Sequence, residues 1–496
     1  MSHLAKNQRV FGLGLLALSL GLGAFGACAE PGGADVTGGV DAAAAESTPS
    51  SERRGIGVLG DAGTASGIGT LPLSVTLDAR RSLAVTDQAI VDEFSLEAVL
   101  DQLVGQSDAP GMTALGLFQQ FWDTQNDAAT SAGRAAACTG TLNGFPYVCP
   151  RSEGAQARQD PFATPTGPEG YRAIGLFNRF DLAPADGSNC GEHRIVFARR
   201  SGETNALNRS LLIFEAVLDN PDRAQGLKGC APVAEFWAEL SAVDSVQKRA
   251  KALKKFYFKG LPGFQPVVHV DNYGSVRGFR QTGQIRSNQF FSGPGEPWML
   301  REFQLRQSCG SAPCTLQVVP DTVKVNPSPE LFAAPSAAGN GPLDQPRRDF
   351  QNFFLTQLGA LSAADINRFN YSVPDQFNTG DSQSQGPRDD YAAKLGPAFA
   401  QSVQASLGAQ GINLTPQNVV NRSLALSCAG CHQLSNGDAL GGGLAAWPAS
   451  QGFTHVSERD PEAAPEGGLR FRVSPALTNV FLPHRKTVLA SFLTTL

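Results

Sequence analysis

Thr415-Pro-Gln-Asn-Val-Val-Asn-Arg-Ser-Leu-Ala-Leu-Ser-Cys-Ala-Gly-Cys-His432 is the stretch whose reading decides how the C-terminal third folds. Thr415 followed by Pro416 is an N-cap residue followed by proline at the first helical position, where its missing N–H costs nothing. Val419, Val420 and Leu424 then recur at helical spacing. The spacing therefore predicts a helix that runs into Cys428. Positions i, i+3 and i+4 share one face of a helix, so Cys428, Cys431 and His432 should converge on one point from a single turn.

Two thiols and an imidazole at this spacing form C-x-x-C-H, the attachment signature of covalently bound haem. The thiols add across the two vinyl groups of the porphyrin, and the adjacent imidazole becomes the proximal iron ligand. Around this motif the sequence resembles the c-type cytochromes, whose first helix also ends on it. The resemblance implies one covalent haem c, held by Cys428, Cys431 and His432. It also implies a sixth iron ligand downstream, where small cytochromes commonly supply a methionine. Here the only methionines are Met1, Met112 and Met299, so the candidates after the motif are His455 and His484. His455 is the favoured one, because the glycine-rich loop from Gly441 to Pro448 gives it room to return to the iron. Met299 reads as core.

The N-terminus fits a compartment in which haem is attached. Lys6 and Arg9 precede an apolar run from Val10 to about Leu22, too short to be kept as a membrane span. Phe25-Gly26-Ala27-Cys28 resembles a bacterial lipobox, which implies cleavage before Cys28 and lipidation of that residue. The expected location is the cell envelope, on the outer-membrane or periplasmic side, with the lipid as the only membrane attachment. A cleavable secretory signal is the alternative, and either reading exports the chain. Residues 28–70, rich in Gly, Ala, Ser and Pro, read as a disordered tether.

Cysteine parity agrees. Of nine cysteines, Cys28, Cys428 and Cys431 have roles above, and Cys138, Cys149, Cys190, Cys230, Cys309 and Cys314 remain as disulfide candidates. Proximity favours pairing them in sequence order, although six cysteines allow about 15 connectivities. Parity does not separate haem attachment from a Cys428–Cys431 disulfide.

The rest of the chain predicts an α+β fold. Residues 71–335 open with helical patterns (Leu96, Val99, Leu100, Leu103; Leu117, Phe118, Phe121, Trp122) and pass into strand-like runs such as Ile195-Val196-Phe197 and Leu211-Leu212-Ile213-Phe214. That segment reads as mixed helix and antiparallel sheet. Residues 336–414 read as linker and helical segment, with a polar loop over Asp375–Asp390, and 415–496 as a mainly helical cytochrome c-like domain. A net charge of −5 and a pI near 5.8 give no cationic footprint for nucleic acid.

Weaker patterns carry little. Gly55 to Gly60 fits G-x-G-x-x-G without a preceding strand, and Asp181, Asp186, Ser188 and Glu192 read as a turn before a Ca²⁺ site. Segments such as Asn178-Arg-Phe-Asp-Leu182 and Phe481-Leu-Pro-His-Arg485 resemble lipoproteins of the myxobacterial type, which implies no function. The leading expectation is a lipid-anchored, single-haem electron carrier working with a redox partner protein in the envelope. The alternatives are a peroxidase-like haem enzyme with an open distal side, and a non-haem surface lipoprotein with a Cys428–Cys431 disulfide.

Overall fold

The computed structural model describes residues 76–128, 130, 138–274, 283–289, 297–310 and 313–496. The signal segment, the lipobox with Cys28, the tether and the Gly55–Gly60 pattern lie outside the described residues.

An antiparallel sheet organises the molecule. Its strands are β1 (Ala84–Val85), β4 (Tyr171–Arg179), β5 (Asn189–Arg199), β6 (Ser210–Asp219), β7 (Gln284–Gln289), β8 (Met299–Ser308), β9 (Thr315–Asp321) and β10 (Asp381–Gln383); a small separate hairpin forms β2 (Thr141–Leu142) and β3 (Phe145–Pro146). The order is β1-β4-β5-β6-β7-β8-β10, with β9 also on β8. One edge of β8 is shared: Met299–Arg301 pair with β10, and Glu302–Ser308 pair with β9.

Side chains alternate between the two faces of a strand, and both faces here are covered. On one face Ile195, Phe214 and Phe303 are fully buried. Phe121 of the helix Ala114–Asp123 packs edge-on to Phe214 and Phe303. Trp237 of the helix Ala231–Glu239 stacks on His193 and donates Nε1–H to its Nδ1 at 3.2 Å. The opposite face receives residues 326–496. Three disulfides tie described residues of the first segment: Cys138–Cys149, Cys190–Cys230 and Cys309–Cys314.

The expected mainly helical cytochrome c-like domain is not what the C-terminal region forms. The polar loop read over Asp375–Asp390 contains β10, which joins the main sheet. Further on, β11 (Val456–Ala463) and β12 (Leu469–Val473) form a hairpin, and Phe471 N–H donates to the Thr86 carbonyl at 2.9 Å. The buried apolar side chains from Leu77 to Phe492 make one contiguous core. The physical reason is partnership: the apolar faces of Pro416–Leu426 and Leu482–Leu493 are covered by the sheet side and neighbouring helices, not by a closed helical bundle of their own. Among the described residues no helix is long and apolar enough to cross a membrane.

Candidate functional site

The helix Pro416–Leu426 begins as its sequence requires. Thr415 Oγ accepts from Asn418 N–H, while the Asn418 side chain reaches back to Thr415 N–H, closing a reciprocal cap. Its end differs from expectation, because the helix stops at Leu426 and Ser427 is extended (φ −76°, ψ 159°). Ser427 then caps a second turn, with Oγ accepting from Gly430 N–H at 3.1 Å. Gly430–Leu434 continue as a π-turn closed by Ser435 N–H to the Gly430 carbonyl. Short π segments are uncommon and concentrate at functional sites. Gly430 is required by close approach, since a Cβ there would lie 1.9 Å from the Leu424 carbonyl oxygen.

The motif docks on the sheet through its own backbone. Ser382 Oγ of β10 accepts from Ala429 N–H at 2.8 Å, and Ser384 Oγ donates to the Ala429 carbonyl at 2.8 Å. Cys428, Cys431 and His432 thereby open on one cavity of about 880 Å³, its mouth included. That volume lies within the range of small-molecule and cofactor sites, about 300–1,000 Å³.

His432 is held on three sides. Its Nδ1 lies 2.8 Å from the Phe453 carbonyl oxygen. A carbonyl only accepts, so Nδ1 carries the proton and Nε2 keeps its lone pair. The Trp298 indole stacks on the imidazole, with centroids 5.1 Å apart and planes at 30°, and the Phe453 ring stacks on Trp298 in turn. Ser450 Oγ donates to the His432 carbonyl.

His455 stands beside this group, its ring centre 5.1 Å from that of His432. Its Nδ1 is 2.9 Å from Ser474 Oγ and its Nε2 is 3.2 Å from Cys431 Sγ. Burial, then the positive field of His432, Arg485, Arg194 and Arg179, hold its pKa well below that of an ordinary histidine, so it is neutral. His484 is placed differently. It is half-buried in the first turn of Leu482–Leu493 and does not line the cavity, whereas its neighbour Arg485 does. Met299 is buried in β8, its sulfur 3.7 Å from an Arg301 nitrogen.

The sheet supplies the opposite wall, at alternating positions of four strands. Transverse rows follow from the register: Ser382–Leu300–Asn288–Leu211 nearest the motif, then Glu302–Arg286–Ile213–Val196, then Glu215–Arg194–Phe177, then Glu192–Arg179. The wall thus passes from largely apolar to largely charged with distance from β10. Arg194 bridges Glu192 and Glu215, and Arg286 bridges Glu215 and Glu302. Arg179 binds Asp181 through Nε and Nη2, with Arg485 Nε 3.6 Å from the same carboxylate. Burial pushes the Asp181 pKa up, but Arg179, then Arg485 and Arg194, outweigh it and hold the carboxyl below its usual range. Asp181 is therefore an ion-pair partner. Asp186 Oδ1 accepts from Ser188 N–H as a turn.

Among the described residues no group of three His, Cys, Asp or Glu side chains is arranged to hold a bare metal ion. A porphyrin supplies four of its iron's ligands itself, so one imidazole suffices on the protein side. The Cys428–Cys431 pair is not among the disulfides of the described residues. Phe453, Trp298, Ser474 and the sheet arginines had not been singled out as functional from sequence. Comparison with family models, with curated proteins and with solved structures finds no match for this chain.

Proposed function

We propose that this protein carries one covalent haem c and passes single electrons between partners in the cell envelope. The observation that carries the reading is the Nδ1 contact of His432 with the Phe453 carbonyl. It fixes the tautomer whose Nε2 can ligate iron, beside two thiol-bearing side chains that open on the same cavity. Metal-binding histidines characteristically donate their second ring nitrogen in this way. The donor set fits haem c: Cys428 and Cys431 for the thioethers, His432 for the proximal bond. The haem iron would supply the one-electron couple. The chain's part is to hold the imidazole plane through Trp298, to exclude water with the apolar wall, and to set the electrostatic field through buried arginines. Export through the N-terminal signal and lipidation of Cys28 remain part of the proposal.

The position of His455 favours a second reading, a haem enzyme with an accessible distal side. Its Nε2 faces the Cys431 sulfur and not the open cavity, so a bis-histidine iron needs that ring to turn.

Expression with a haem-attachment system, followed by haem staining after denaturing electrophoresis, tests the main reading. Wild type should stain, and the Cys428→Ser/Cys431→Ser double variant should not. Absence of stain in wild type, or stain in the double variant, overturns it. Ferric spectra with and without cyanide then separate a closed carrier from an open site.

A further inference from the structure

Resting on the haem reading, a second feature of the cavity has its own meaning. We infer that the cavity end formed by Arg179, Arg194 and Arg485 is a carboxylate-binding corner, which receives the two propionate groups of the macrocycle.

The argument begins with polarity. The row of the sheet nearest the docked motif is Ser382–Leu300–Asn288–Leu211, and each following row lies two residues along its strands. Arg194 is two such steps away and Arg179 three. At about 3.3 Å per residue this is roughly 13–20 Å. The thiol end and the guanidinium end therefore stand at opposite ends of one cavity. A porphyrin joined by its vinyl edge has the same polarity, an attached edge and, across the ring, two carboxylates.

The second argument is donor accounting. A guanidinium has five N–H donors in a planar fork suited to carboxylates. Arg179, 3% exposed, uses Nε and Nη2 on Asp181, and no hydrogen bond occupies its Nη1. Asn288, 1% exposed and part of the same wall, has a buried amide oxygen with no hydrogen-bond partner. Buried polar groups of this kind are normally satisfied, so the pair marks a place where a polar ligand belongs. Arg485 reaches the corner from the terminal helix, so the cation cluster spans two elements that meet only in the folded chain.

The test uses the haem-loaded full chain. Arg179→Gln and Arg485→Gln are compared with Arg209→Gln, a buried arginine paired with Glu458 that does not line the cavity. Covalent haem content is read by staining and the midpoint potential by spectroelectrochemical titration. Loss of a guanidinium beside the propionates favours the ferric state, so each corner variant should keep its haem and lower the reduction equilibrium about tenfold, ~59 mV for one electron. Arg209→Gln should stay within twofold of wild type, and Arg179→Lys should return the potential towards it. Corner variants that hold haem at the wild-type potential overturn the inference, and so does an equal shift in Arg209→Gln. A corner variant that folds without haem counts against it unless the lysine form regains haem. Unstained wild type would instead overturn the haem reading itself.

Discussion

The carbonyl oxygen of Phe453 sits 2.8 Å from Nδ1 of His432, joining the C-x-x-C-H turn to a loop 21 residues further on. A backbone acceptor makes this bond independent of the Phe453 side chain. The ring has a separate role, packing on Trp298, which packs on the imidazole. One residue therefore controls both the tautomer and the plane of His432.

Trp298→Ala removes the middle of that stack. Trp298 is fully buried, and truncating a buried tryptophan costs about 3–5 kcal/mol. Urea unfolding should show a loss of that size, while Trp298→Phe should lose less than half as much. A loss below about 1 kcal/mol for alanine would show that the stack contributes little.

Gly430→Ala probes the motif turn. The two middle positions of C-x-x-C-H carry no chemistry, yet a methyl group at Gly430 meets the Leu424 carbonyl. Rigid backbone is the obstacle, so the turn must shift. Alanine here should lower haem content several-fold, whereas Ala429→Ser should leave it within twofold of wild type. Equal staining of all three proteins would refute this.

Acid should destabilise the fold through its buried histidines. Burial depresses the His193 pKa to about 3, opposed only by a hydrogen bond involving the Cys190 backbone. The unfolded chain takes up a proton near pH 6.5 that the folded chain refuses. Stability from this group is complete above pH 6.5 and falls as the pH drops toward 3, by up to about 1.4 kcal/mol per pH unit. His455, depressed in the same direction, adds to the slope. Denaturation midpoints between pH 7.5 and 5 should fall, and His193→Gln should flatten the curve by close to one proton. A flat wild-type curve contradicts the assignment.

Arg209 and Glu458 form a buried pair across 249 residues, with Nε–Oε1 at 2.6 Å, and hold the β11–β12 hairpin to the start of β6. Breaking such a pair from one side strands a buried charge and costs about 3–5 kcal/mol. Arg209→Met should show this loss by thermal unfolding, and Arg209→Met/Glu458→Leu should recover most of it. No recovery in the double variant would point to packing instead of charge.

What the residues disclosed on their own follows from the range of the interactions. The C-x-x-C-H motif and the cap at Thr415-Pro416 are local patterns with local causes, and both are readable along the chain. Ser427 was read as helix interior, because the extended break before Cys428 is set by Gly430 packing on Leu424 and not by any breaker residue. β10 escaped notice because Asp381-Ser382-Gln383 has no apolar residue; its side chains bond to Val148, Arg388, Asn326 and the motif backbone. The arginine wall had the period-two placement of strand residues, as in Arg194-x-Val196 and Ile213-x-Glu215, but charges at alternate positions imitate a solvent face. The Phe453 carbonyl leaves no trace in residue types at all.

The grip of Ser382 and Ser384 on both sides of the Ala429 peptide has a consequence for biogenesis. A ligase that adds a porphyrin to two sulfurs must reach both, and in the docked state those sulfurs face inward beneath a strand. Loading must then precede closure of the C-terminal half, so the exported chain has a limited interval in which to mature, and molecules that fold first are excluded from it.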